Sequence, residues 1–161
     1  PTIFASISGE TQRTFELLSS IAKNEDVSPT AFSLSVHNAI AGQFSIVQNN
    51  TCPLTAFAPN AEHYLLPMAD AIAQLHEGAT HIVLVYYEES LPEFYQPYSN
   101  SLAFPCAVAL RLSFNNSAPA FQYQQLNHNH TEHQYPLLAF IDFLSSQKTH
   151  LQIGYTGIQR Q

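Results

Sequence analysis

The sequence predicts an α/β layered domain, and three observations lead to it. Short apolar runs of strand length alternate with segments of helical period. The stretch "HIVLVYY" (81–87) is a nearly continuous apolar run, as expected of a strand covered on both faces. No repeat or linker divides the 161 residues, a length that forms one domain with a real core.

"TIFASI" (2–7) is a short apolar strand ended by Ser8-Gly9. A helix follows, with Phe15, Leu18, Ile21 and Ala22 on one face, running to about Lys23. The polar "KNEDVSP" is a loop, and a second helix is predicted over 31–47. Ala39, Ala41 and Gly42 lie in its middle, small residues that let another backbone approach.

"CPLTAF" (52–57) reads as a strand that Pro53 confines to a sheet edge or a strand start. The turn "APNAE" then leads into a helix ending near Glu77-Gly78, its apolar face formed by Leu65, Met68, Ala69, Ile72 and Leu75. Pro67 sets the start of its regular part near Leu66. After the strand at 81–87 and a Pro- and Tyr-rich loop, "FPCAVALRLSF" alternates with a period of two and marks another strand. "AFQYQQL" is expected to pair with it across "NNSAP". A helix over 134–146 and a last short strand in "LQIGYTG" complete the order.

Composition narrows the function. Hydrophobic residues make up 45% and charged residues 11% of the chain. That is well below the roughly 25% charged of an average domain, and it points to a surface partly covered by a partner. A net charge of −7, with five scattered Lys and Arg, argues against nucleic acid. No apolar run reaches the roughly 20 residues of a membrane span, and no secretory signal is visible. Cys52 and Cys106 form no metal spacing, and two free, buried thiols in a reducing cytoplasm are expected.

"SPTAFSLSVHNAIAGQFSI" (28–46) places Ser35 and His37 two residues apart. On a helix they point about 200° apart and cannot pair directly. Neither lies in a G-x-S-x-G elbow, and no acid is placed to orient His37. A polar helix face bonding within the fold or across an interface is the expected role.

The same stretch carries a resemblance. Phe32, Ser35, Val36, His37, Asn38, Ala41, Gly42, Ser45 and Ile46 are followed by the strand–turn–helix of 52–78 and by "GATHIVLVYYEESLP". Together they resemble the N-terminal-domain type of β-ketoacyl synthase-like proteins, and more narrowly the chain length factors of bacterial aryl-polyene-type clusters. The tail "LLAFIDFLSSQ" is similar to that family's closing helix. The resemblance implies a thiolase-like half-domain, with a five-stranded mixed sheet between helices. It also implies a native N-terminal segment, with a first strand, that precedes this sequence.

Ketosynthases acylate a Cys in a tight turn between a strand and a helix N-terminus, where the turn exposes the thiol and the helix end favours thiolate. Here that turn is "APNAEHY", and spacing back from Gly78 puts the nucleophile at Asn60, Ala61 or Glu62, none of them Cys. No His-Gly-Thr motif appears in these residues. His63 completes a degenerate elbow in which Glu62 caps the helix or lines the site. The expected function is therefore a non-catalytic subunit with no cofactor and no metal. It pairs with an active ketosynthase in the cytoplasm and, through it, meets an acyl carrier protein. A homodimer is expected in isolation. The resemblance places the dimer contact on the edge strand, at Leu54, Thr55, Ala56 and Phe57 because Pro53 lacks a donor, with the helix of Phe32, Ser35, His37, Asn38 and Gly42 nearby. The alternatives are a thioesterase or acyltransferase using Glu62, His63 or Ser35, and a self-associating binding module.

Two further segments call for a reading. "HNHTEH" (128–133) supplies three His and a Glu, but its spacing fits no common structural zinc pattern, and a polar connector is expected. "EFYQPYSN" (93–100) is expected to pack as a loop or to line a partner or acyl surface.

Overall fold

Strand β1 (Thr2–Ala5) lies at the centre of a four-stranded sheet of order β2-β1-β3-β4, with β2 at Leu54–Phe57, β3 at Ile82–Glu88 and β4 at Cys106–Leu112. The computed structural model describes residues 1–99, 102–114, 120–126 and 131–161. β1 pairs in parallel with both β2 and β3, and β4 closes the far edge antiparallel to β3, with Leu84 opposite Leu110. Helix α1 (Thr11–Ala22), α2 (Pro29–Ser33) and α3 (Ala39–Val47) make the crossover from β1 to β2, and α4 (Leu66–His76) makes the one from β2 to β3.

A second sheet follows. β5 (Phe121–Gln125), β6 (His150–Ile153) and β7 (Thr156–Arg160) pair antiparallel in the order β5-β7-β6, and α5 (Pro136–Ser145) comes between β5 and β6. The expected pairing of "AFQYQQL" with β4 is therefore corrected: β5 pairs β7, with Tyr123 opposite Ile158. The single strand expected in "LQIGYTG" is a hairpin turning at Gly154. In place of one five-stranded sheet, the described residues form a mixed sheet of four strands and an antiparallel sheet of three. The turn "NNSAP" lies outside the described residues.

The core sits between the two sheets and two helices. Ile3 and Ala5 of β1 and Ile82, Leu84 and Tyr86 of β3 meet Met68, Ala71 and Leu75 of α4 and Leu137, Phe140 and Phe143 of α5. Leu151, Ile153 and Ile158 close it from the second sheet. On the opposite face of β1, Phe4 packs on Phe44 of α3 with ring centroids 5.4 Å apart. β3 is fully buried on the α4 side and half-buried at Val83, Val85 and Tyr87.

Helix ends follow from local sequence. Ser28 caps α2 by accepting from the Ala31 N–H, and Pro29 and Pro136 sit in the first turns of α2 and α5. α1, α3 and α4 end in the same way, with a left-handed residue just past the cap: Asn24, Asn49 and Gly78. In each the next amide closes on the carbonyl five residues back, as in Asn50 N–H to Ser45 O at 2.8 Å.

The predicted helix over 31–47 is two helices. Ser35 turns its hydroxyl onto the Phe32 carbonyl, a local bond that competes with helix propagation, and residues 34–38 form a turn. The apolar face of α1 is largely open: Leu18 and Ile21 are 52% and 57% exposed, and no residue of α1 is fully buried. Phe15 alone finds ring partners, stacking on Phe94 at 5.6 Å and meeting Tyr95 edge-on, so the aromatic loop packs on α1. Cys52 is exposed and Cys106 half-buried, so the free thiols are less buried than expected. Among the described residues, no helix is long and apolar enough to cross a membrane.

Candidate functional site: the elbow and its supports

The edge strand β2 runs into the turn that the sequence marks as an elbow. Residues Ala61–His63 form one turn of 3-10 helix, and α4 starts three residues later. Asn60 caps this turn: its side-chain oxygen accepts from the His63 N–H at 2.9 Å and lies 3.1 Å from the His63 ring nitrogen, while the N-cap position of α4 is Leu65. Asn60, Ala61 and Glu62 are exposed and His63 is half-buried.

The elbow's backbone is held from the second sheet. The Tyr155 N–H donates to the Glu62 carbonyl at 2.9 Å, and Gly154 packs directly against that carbonyl. A Cβ on Gly154 would lie 1.8 Å from the oxygen, and its φ of +58° also requires glycine. The β6–β7 hairpin thus fixes where the elbow stands.

The ends of β1 and β3 are tied to each other. Glu88, the last residue of β3, accepts from the Ile7 N–H at 2.6 Å, the Ser8 N–H at 3.2 Å and the Ser6 hydroxyl at 3.2 Å. The Gly9 N–H in turn donates to the Ser6 hydroxyl at 2.8 Å. Burial pushes the Glu88 carboxyl up from its ordinary value; these three donors and the nearby His37 pull it back only in part. Burial likewise pushes the Tyr64 phenol far up, with Glu88, Tyr86 and Cys106 adding to it, and raises Tyr87 to about 12.

His37 belongs to this structural group. Its Nε2 donates to the Ser6 carbonyl at 2.8 Å, and its ring sits where a Cβ on Gly9 would strike it. His37 and Ser35 lie in the turn between α2 and α3, so the helical geometry expected for them does not apply. Ser35 is satisfied locally, Asn38 precedes α3 and is exposed, and Phe32 is exposed. Among the described residues nothing lies within 4 Å of the place a Cβ on Gly42 would take, so none of their backbone uses the close approach it permits.

Of the cluster at 128–133, His128 and His130 lie outside the described residues, while His133 donates to the Gln152 carbonyl at 2.8 Å. Among the described residues, no group of three or more His, Cys, Asp and Glu is placed to hold a metal. The sequence reading missed Gly154, which braces the elbow, and the Ser6–Glu88 tie at the ends of β1 and β3. Gly154 was legible as a glycine between two apolar runs, and Glu88 as a carboxylate directly after a buried strand.

A parallel edge strand that turns through an elbow onto a helix, over a mixed sheet, defines a thiolase-like ketosynthase fold. The chain belongs to the β-ketoacyl synthase family, matching the family's N-terminal domain over residues 1–158. It is similar to a solved structure of the ketosynthase ApeO in complex with its chain length factor ApeC from Xenorhabdus doucetiae. The TM-score is 0.83 at 24% identity, over 99% of this chain and 69% of that one. It is also similar to the ishigamide ketosynthase/chain length factor, with a TM-score of 0.63 at 14% identity, over 77% of this chain and 40% of that one. No curated protein matches it in sequence.

Proposed function

We propose that this chain is a chain length factor: a ketosynthase-like subunit without condensing activity of its own. It pairs with an active ketosynthase and helps set how far an acyl chain grows. The observation that carries this reading is an elbow whose backbone is fixed by Tyr155 and Gly154, yet which bears Asn60, Ala61, Glu62 and His63 where the chemistry needs a thiol. Neither Cys is an elbow residue: Cys52 precedes β2 and Cys106 begins β4. The solved complexes of the same fold, each containing a ketosynthase and a chain length factor, support the pairing.

The partner contact is assigned to the outer edge of β2. Thr2 N–H bonds Pro53 O and Ser6 N–H bonds Phe57 O, so positions 53, 55 and 57 face β1. By strand alternation, the amides and carbonyls of Leu54 and Ala56 point outward. The donor that Pro53 lacks would fall on the β1 side, so Pro53 leaves the outer edge whole. Beside this edge, Ile46 and Val47 at the end of α3 are 76% and 74% exposed, an apolar shoulder next to open hydrogen-bonding groups. In isolation the same edge would pair with a second copy. A cytoplasmic location, an acyl carrier protein reached through the ketosynthase, and an aryl-polyene-type product complete the reading.

The test is covalent labelling. The chain is co-purified with an active ketosynthase from the same organism, incubated with an acyl thioester, and both chains are weighed by mass spectrometry. An acyl adduct on the ketosynthase alone is expected. An adduct on this chain, lost in Glu62→Ala or Ser35→Ala, would overturn the proposal.

A further inference from the structure

Strands β1 and β3 lie side by side in parallel, and the helices that follow and precede them cover opposite faces of the sheet. Phe44 of α3 packs on Phe4 on one face, and α4 fills the core on the other. Beyond the carboxyl ends of such a pair the chain parts and leaves a crevice, the place where open α/β sheets bind ligands. Here that crevice is a solvent-open pocket of about 410 Å³. It is lined by Ile7 and Ser8 after β1, by Glu88 and Glu89 at the end of β3, and by Gln134 and Tyr135 ahead of α5. Each of these six keeps solvent-exposed surface.

The lining sets the ligand's charge. Among the described residues it holds two carboxylates and no Lys, Arg or His. Glu89 is exposed and has no ion-pair partner among the described residues. Glu88 takes three hydrogen bonds from Ile7, Ser8 and Ser6, and a carboxylate has room for about four. Its Oε1 accepts from the Ile7 N–H, which leaves that oxygen with an open lone pair. All three donors are uncharged, and the nearby His37 spends its Nε2 on the Ser6 carbonyl. Gln134 donates its amide N–H to the Tyr135 hydroxyl, so its carbonyl oxygen is a further acceptor. Open acceptors beside an apolar wall at Ile7 and the Tyr135 ring match a compact cation with several N–H donors on an aliphatic stem. We propose that this pocket binds a primary alkylammonium, whose N–H groups donate to Glu88, Glu89 and the Gln134 carbonyl and whose stem lies along Ile7 and the Tyr135 ring. A lysine side chain and a free amine share this chemistry. The inference goes beyond the pairing with a ketosynthase and is tested on the chain alone, so either can fail without the other.

The probes are n-butylammonium chloride, for a free amine, and blocked lysine (the N-acetyl methylamide), for a side chain, in the millimolar range at fixed ionic strength. Amide resonances of Ile7, Ser8 and Glu89 should shift along one saturable curve. A response to butylammonium alone assigns the site to free amines, and a response to blocked lysine as well opens it to a protein's side chain. Sodium butyrate, n-butanol and tetramethylammonium chloride lack either the positive charge or the N–H donors and should leave these resonances in place. Glu89→Gln changes an exposed residue and spares the fold, and should weaken binding about threefold. Glu88→Gln should weaken it about tenfold. The inference is overturned if butyrate or butanol gives an equal shift, or if tetramethylammonium binds as tightly as butylammonium. It is equally overturned if Glu89→Gln and Glu88→Gln both keep the wild-type affinity, or if neither ammonium probe gives a saturable effect.

Discussion

The imidazole Nε2 of His37 lies 2.8 Å from the carbonyl oxygen of Ser6, across 31 positions of sequence. The contact ties the turn between α2 and α3 to the turn between β1 and α1, where Gly9, at φ +54°, leaves room for the ring. The Ser-x-His pair that reads at first as a fragment of catalytic apparatus is thus a clasp in the crossover. Removing it with His37→Ala should cost about 1 kcal/mol, the net value of one hydrogen bond. Gly9→Ala drives a Cβ to 2.7 Å from the ring and should cost more. In the His37→Ala background Gly9→Ala should cost less than it does alone, with a coupling of about 0.5 kcal/mol or more from urea unfolding of the four proteins. Additive effects would mean that the ring and the glycine are independent.

The elbow depends on Gly154. Its positive φ and the Glu62 carbonyl behind it combine a backbone penalty with a clash against main chain, which cannot swing aside. Gly154→Ala should therefore destabilise the fold by about 3 kcal/mol or more. Denaturant midpoints measure this, and a loss as small as that of a surface substitution would show that the hairpin does not brace the elbow.

Glu88 gives the protein a pH signature. A carboxyl raised in the folded state contributes stability that is fully present below the ordinary carboxylate range, at about pH 4, and is lost as pH rises through the raised value. The stability of the wild type relative to Glu88→Gln should accordingly fall as pH climbs from about 4 toward neutral. Paired urea melts across that range read the difference directly. A wild type that instead gains on Glu88→Gln with rising pH would mean that the Ile7 and Ser8 amides outweigh burial.

Much of this was legible in the residues, for physical reasons. Period-two and period-3.6 patterns report which residues share a face, so β3, β4, α4 and α5 were placed within a few positions. Pro53 marked the edge strand, and Gly78 marked the end of α4. Pattern does not report partners, however. The alternation in "AFQYQQL" fits β4 as well as β7, and only the fold back of the chain after α5 decides between them. The apolar face of α1 was read as apolar, but periodicity does not report burial, and Leu18 and Ile21 of that face are exposed. The break after α2 came from Ser35 and His37, whose bonds to Phe32 and Ser6 are tertiary and local choices that a helical period overlooks. At the elbow, the missing thiol was readable from three adjacent positions, Asn60, Ala61 and Glu62, whereas Tyr155 and Gly154 act through contacts distant in sequence.

The central claim is that the outward edge of β2 pairs this chain with an active ketosynthase, and Ala56→Pro tests it most directly. Proline at 56 removes an outward amide while leaving the β1-facing groups of Thr55 and Phe57 in place, so the fold should survive. The wild type and an active ketosynthase from the same organism are mixed at micromolar concentration and their mass is measured by light scattering after size exclusion. The account predicts a one-to-one complex with the wild type, and two separate species with a folded Ala56→Pro variant. A wild type that stays apart from the ketosynthase, or a folded Ala56→Pro that still joins it, would contradict the account.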